Sequence, residues 1–186
     1  MRDCYQTSSQ NVLEHGLAVN QKYLEMHAYL TCGAPLQGDW RVPLWFSAES
    51  LGPLIATLPS ANVMRAYQVY HDCGKPKCRT LDEEGRQHFP NHAVVSQQVW
   101  REHGGDDAVG ELIGHDMDMH MLKADDLPTF AKSPYAFALL LTSIAEIHAN
   151  AALFGGTDST SFKMKAKHLD RRGKKLVEML LDRNAI

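Results

Sequence analysis

The sequence predicts an all-α protein. Two observations carry that reading: apolar residues recur at three- and four-residue spacing in several separate segments, and no segment alternates apolar with polar residues as a half-buried strand does. A third is the punctuation, since glycine, proline or small polar clusters fall between the periodic segments.

Val12, Leu13, Leu17, Val19, Tyr23, Leu24, Tyr29 and Leu30 predict an amphipathic helix over about 11–30, broken at Gly33 and Pro35. The stretch 32–60 holds four prolines, three glycines and two tryptophans without sustained periodicity, which predicts a packed irregular insertion with one short helix at most. Helical patterning returns over 61–70 and stops at Gly74 and Pro76, followed by a polar turn over 79–87. Further helices are expected over about 91–102, ended by Gly104 and Gly105, and over 108–116. Ser133-Pro134 reads as a cap and first turn, opening a core helix to about Phe154. A Lys- and Arg-rich amphipathic helix over about 162–181 closes the chain.

A chain of 186 residues buries most of its apolar surface around one core, so a single domain over 1–186 is expected, with its core at about 11–154. Its 44% hydrophobic and 22% charged residues are those of an ordinary globular protein. The net charge of −3 offers no global attraction to nucleic acid or anionic membrane, so neither a membrane nor a stable nucleic-acid partner is expected. Met1 to Gln10 lacks the apolar core of a secretory signal and no apolar run is long enough to span a bilayer, which predicts a cytoplasmic protein. The four cysteines, Cys4, Cys32, Cys73 and Cys78, are too sparse for a disulfide scaffold. Cys73 and Cys78 alone would make half a zinc site, with no second pair to complete it.

Ten histidines stand among these residues, and their placement beside carboxylates is the chemical signal. In His71-Asp72, an imidazole and a carboxylate at a helix end supply nitrogen and oxygen ligands suited to Zn, Mn, Fe or Mg. Glu146 lies in the apolar run from Leu141 to His148, where a carboxylate needs a metal or a cationic partner; a buried salt bridge is the alternative.

His71-Asp72-Cys73-Gly74-Lys75 resembles the His-Asp-x-Gly-Lys signature of the HD superfamily of metal-dependent phosphohydrolases. Val12 to Val19 is similar to that family's first-histidine helix and offers His15, which by itself would read as a satisfied core histidine. His88-Phe89-Pro90-Asn91-His92-Ala93 resembles the segment carrying a further histidine, for which His92 is the choice and His88 an additional ligand, substrate contact or loop residue. Leu112 to Asp116 resembles the next: His115 as ligand, with Asp116 supporting it or replacing it. The family ends on an aspartate, where this chain has Glu146.

The resemblance spans about His15 to His148 and is similar in motif to the HD domain of tRNA nucleotidyltransferases. It implies a compact HD-type helical bundle, with the irregular insertion between the first-histidine helix and the His-Asp helix. It also implies one divalent ion on His15, His71, Asp72 and Glu146, and a second with His92 and His115, the ions drawn from Mn, Mg, Co, Ni, Zn or Fe. The implied activity is hydrolysis of nucleotide phosphate esters or RNA ends, as phosphomonoesterase or 2′,3′-cyclic phosphodiesterase, by a metal-activated water. In that chemistry Asp72 is catalytic, and Lys75 and Arg79 meet the phosphate; each is otherwise a turn residue. A di-iron oxygenase and a non-catalytic metal- or nucleotide-binding module are the alternatives. Lys163 to Lys175 is the one basic concentration, either a solvated face or a contact for a nucleic-acid backbone, and Trp40, Trp45 and Phe46 either pack or stack on a base.

Overall fold

A computed structural model of the chain describes residues 1–7 and 9–184. Helices α1 (Val12–Cys32), α2 (Ala48–Ile55), α3 (Ala61–Tyr70) and α4 (Lys75–Cys78) are followed by strands β1 (Thr80–Leu81) and β2 (Gln87–His88). Then come α5 (His92–Glu102), α6 (Asp107–Gly114), α7 (Asp118–Met121), α8 (Leu127–Phe130), α9 (Ala136–Ala149) and α10 (Thr160–Asn184), with 3-10 turns at Ala124–Asp126 and Ala151–Phe154. The class is all-α, as expected. The polar turn differs from expectation in forming a small antiparallel ladder, Thr80 opposite His88 and Leu81 opposite Gln87. Cα packing divides the chain into two compact units, Met1–Asn20 with Ser60–Met117, and Gln21–Pro59 with Asp118–Ile186.

In the first unit, α1 opens with a reciprocal cap: Glu14 N–H donates to Asn11 Oδ1 and Asn11 N–H to Glu14 Oε2, both at 2.9 Å. Val12, His15, Gly16 and Val19 then recur on one buried face. At Gly16 a side chain has no room, because a Cβ there would lie 2.2 Å from the Val69 carbonyl oxygen on α3. That glycine lets α1 and α3 meet backbone to backbone. Ser60 caps α3 and Asp106 caps α6, each accepting from an N–H three residues on. α6 packs on both α3 and α5, burying Val109, Leu112, Ile113, Met64 and Tyr67.

The second unit is built on α9, in which every residue from Ala136 to Ala145 is buried, so it packs on all sides. Its start differs from the Ser133-Pro134 expectation: Ser133 Oγ accepts from Tyr135 N–H at 3.2 Å in a preceding turn, and the helix begins at Ala136. Asn150 ends α9, and the chain tightens to a 3-10 turn up to Gly155, which is left-handed at φ 84°. α10 packs on α9; Gly173 permits this region to close, since a Cβ there would lie 2.6 Å from the Trp45 ring. The insertion is packed, as expected. Trp45 Nε1 donates to Asp170 Oδ1 at 2.7 Å, Trp40 stacks on His148 with ring centroids 4.3 Å apart, and Phe46 is buried. Among the described residues, no helix is long and apolar enough to cross a membrane.

Candidate metal centre

The first unit brings His15, His71, Asp72, Lys75 and His92 together. His15 sits one turn into α1, and the Gly16 contact with Val69 sets it beside the end of α3, where His71 follows Tyr70. The His15 and His71 rings meet edge to face, 5.2 Å between centroids. The turn beyond His71 is pinned to α5: Gly74 N–H donates to Ser96 Oγ at 2.9 Å, and a Cβ on Gly74 would lie 2.4 Å from Ser96 N. Glycine is required there by close approach. The same turn directs Asp72 inward and brings it near His92, the first residue of α5. Asn91 enters that helix through a left-handed conformation, φ 53° and ψ 29°, which asparagine tolerates better than most residues.

Asp72 is the hub. Its Oδ2 lies 3.2 Å from His71 Nε2, 3.8 Å from His15 Nε2 and 2.6 Å from Lys75 Nζ, while Oδ1 lies 3.6 Å from His92 Nε2. The carboxylate is 2% exposed. Burial opposes its ionisation, but His71, Lys75 and His15 together outweigh burial and hold the carboxyl well below the usual carboxylate range. Lys75 Nζ also donates to Gln6 Oε1 at 2.8 Å.

The tautomers follow from the carbonyls. His71 Nδ1 lies 2.8 Å from the Gln68 carbonyl and His92 Nδ1 3.1 Å from the Phe89 carbonyl; a carbonyl only accepts, so each Nδ1 carries its proton. Both Nε2 atoms face Asp72. For a neutral His71, that sets a nitrogen lone pair 3.2 Å from a carboxylate oxygen, a repulsive arrangement unless a positive charge lies with them. The Lys75 ammonium, 2.6 Å from the same oxygen, supplies part of that charge, and a second proton on the imidazole or a metal ion would add to it. The ligand atoms of His15, His71 and Asp72 all lie within 4.8 Å of one another, an N, N, O set suited to a divalent transition ion. Nδ1–H donation to a carbonyl is also how ligating histidines are held in orientation.

The other expected residues do not belong to the three-residue group of His15, His71 and Asp72. His115 follows the last turn of α6; its side chain is 53% exposed with Nε2 3.9 Å from Glu111 Oε2, and it does not belong to the 4.8 Å group. Asp116 is buried and accepts from Tyr67 OH at 2.6 Å. His88, on the exposed ladder, lies 2.8 Å from Asp82, and Arg79 is exposed after α4. Glu146 belongs to the second unit, where its Oε2 lies 3.1 Å from His120 Nε2. The Cys73 and Cys78 thiols donate to the backbone carbonyls of Ser96 and Lys75, and burial pushes Cys73 up to about 11, so it is a neutral thiol at pH 7.

Gln6, Ser96 and His120 escaped the sequence reading. Ser96 and Gln6 carry no local signal, whereas His120 closes the run His115-Asp116-Met117-Asp118-Met119-His120, four residues beyond the Leu112 to Asp116 segment that carries the resemblance. Comparison with family models, with curated proteins and with solved structures gives no match for the chain.

Proposed function

We propose that the chain is a metal-dependent phosphohydrolase acting on phosphate esters of nucleotides or RNA ends, as the HD-type resemblance implies. The observation that carries the reading is the buried Asp72 carboxylate, with His15 and His71 nitrogens converging on one of its oxygens. Those three residues would hold the ion. When bound, a divalent metal supplies an activated water and neutralises charge on the attacked phosphoryl group.

The chain's own residues do the rest. Asp72 supplies the negative charge that makes the set selective for a cation, and the Gln68 carbonyl holds the His71 ring in its ligating tautomer. Lys75, 13% exposed beside Asp72, places a positive charge at the rim, where it balances charge developing on phosphoryl oxygens. His92, with Nε2 3.6 Å from Asp72 Oδ1, is positioned as a further ligand or as a proton donor to the leaving oxygen.

One observation favours a second reading. Lys75 lies 2.6 Å from Asp72 Oδ2, so the chain provides an internal cation for its own carboxylate, as a non-catalytic module would. A phosphate-release screen over nucleotides, cyclic nucleotides and RNA ends, with Mn, Mg, Co, Ni and Zn, separates the two. Activity that disappears in both His71→Ala and Asp72→Ala supports the hydrolase; metal binding without phosphate release from any of them supports the module.

A further inference from the structure

Helix α10 carries His168, Arg171, Arg172 and Lys175 at spacing i, i+3, i+4 and i+7, which is a single stripe. The stripe that faces the core is a different one, with Phe162, Leu169, Leu176 and Leu180. The cationic stripe instead lines, with Lys123, a cavity of about 260 Å³ within the second unit. Among the described residues no carboxylate lines it and none of the five basic side chains is ion-paired. Like charges at i and i+4, such as Arg171 with Lys175, repel, so the arrangement costs stability that an anion would recover.

The cavity is also preorganised. Arg172 Nη1 donates to the Met119 and His120 carbonyls, each at 2.9 Å, which fixes its planar fork and leaves Nε and Nη2 for another acceptor. The remaining wall is apolar: Leu127 is buried and Met121 is 71% exposed beside Leu122. A planar ring suits such a wall, because a polarisable thioether and a guanidinium plane both pack on aromatic faces. The size falls just below the range of cavities that take drug-sized organic ligands, roughly 300–1,000 Å³, which limits the ligand to a small one. Nucleic acid spreads its phosphates along a track, whereas here the charges converge on one cavity.

We infer that this cavity binds a small organic phosphate, a nucleoside monophosphate or aryl phosphate in class. Its phosphoryl group meets Arg171, Arg172 and Lys175, and its ring meets Met121, Leu122 and Leu127. None of these residues belongs to the metal centre, so the inference goes beyond the proposed hydrolase and stands or falls separately.

The test is calorimetry on the full chain in excess chelator, with adenosine 5′-monophosphate, adenosine, inorganic phosphate and a short single-stranded RNA as probes. Adenosine monophosphate is expected to bind one-to-one, and adenosine to bind at least about tenfold more weakly. The double variant Arg171→Gln with Lys175→Gln should lose about tenfold or more in affinity for the monophosphate. Both side chains are exposed, so the variant should fold as the parent does, with a melting temperature equal to the parent's or slightly higher as their repulsion is removed; Lys123→Gln gives a second variant with an intermediate loss. Asp72→Ala should bind the monophosphate like the parent, which assigns binding to this cavity. Absence of saturable monophosphate binding at millimolar concentration overturns the inference, as does equal affinity in the double variant. Binding of the RNA without the mononucleotide overturns it in favour of a nucleic-acid contact.

Discussion

Lys75 Nζ stands 2.6 Å from Asp72 Oδ2, three residues away across the turn between α3 and α4. The two form an ion pair in which the aspartate is 2% and the lysine 13% exposed. Removing one partner of such a pair leaves a buried charge that the remaining neighbours must carry. Lys75→Met should therefore destabilise the metal-free protein by on the order of 3 kcal/mol. Added Mn should raise its melting temperature by more than the parent's, because the ion replaces the lost cation. If turnover requires Lys75 at the phosphoryl group, it falls by about 100-fold even with metal saturating. Thermal melts with and without Mn, beside phosphate release, separate the electrostatic role from the catalytic one; a melting temperature unchanged by the substitution would contradict the ion pair's importance.

Gly16→Ala drives a methyl group to within 2.2 Å of the Val69 carbonyl oxygen, so α1 and α3 must move apart. Overpacking of this kind costs about 1–3 kcal/mol or more, and here it also displaces His15 from His71. Denaturant unfolding should register the loss, and Co affinity should fall with it. A variant as stable and as metal-competent as the parent would mean that the close approach is not needed.

Tyr67→Phe removes the hydroxyl that donates to buried Asp116 at 2.6 Å. The expected loss is about 1–3 kcal/mol, because a buried acceptor loses a donor. Metal affinity should stay within twofold of the parent's, roughly the scatter of such comparisons. A large drop in affinity with little change in stability would instead make Asp116 a metal ligand.

Stability should also fall in mildly acid solution through His148. Its Nδ1 donates to the Ile144 carbonyl at 2.8 Å and its Nε2 accepts from Arg41 N–H at 3.1 Å, so the ring is held neutral. Burial pushes its pKa below the ordinary 6.5. The unfolded chain then binds a proton that the folded one resists. The His148 contribution is full above about 6.5 and is lost as pH falls from there towards the depressed folded value. His148→Gln should flatten the dependence of unfolding free energy on pH over that interval; an unchanged slope would remove His148 from the account.

The long periodic elements were legible in the sequence. α1, α3, α5 and α10 fall within a few residues of the expected bounds, because each has an apolar stripe and a stop signal. The region of α7 and α8 was not, since four-residue helices are too short to show a period. At the site, His15 and the His71-Asp72 pair were legible because motif and helix position point to them together. The pairing of Lys75 with Asp72 was not, because it depends on how the turn after α3 is pinned to Ser96. His115 follows the apolar stretch of α6 as the resemblance implies, as the residue that caps the helix after Gly114. For Glu146 the sequence calls for a metal or a cationic partner, and in the second unit its Oε2 lies 3.1 Å from His120 Nε2.

The central claim is that His15, His71 and Asp72 together hold a divalent ion. Titrating Co into the parent protein, followed by calorimetry and by the visible absorption of the bound ion, tests it most directly. The account predicts saturable binding in the parent, and loss of at least about 100-fold in affinity in each of His15→Ala, His71→Ala and Asp72→Asn, with helical content retained. A parent that binds no Co, or variants that bind it as the parent does, would contradict it.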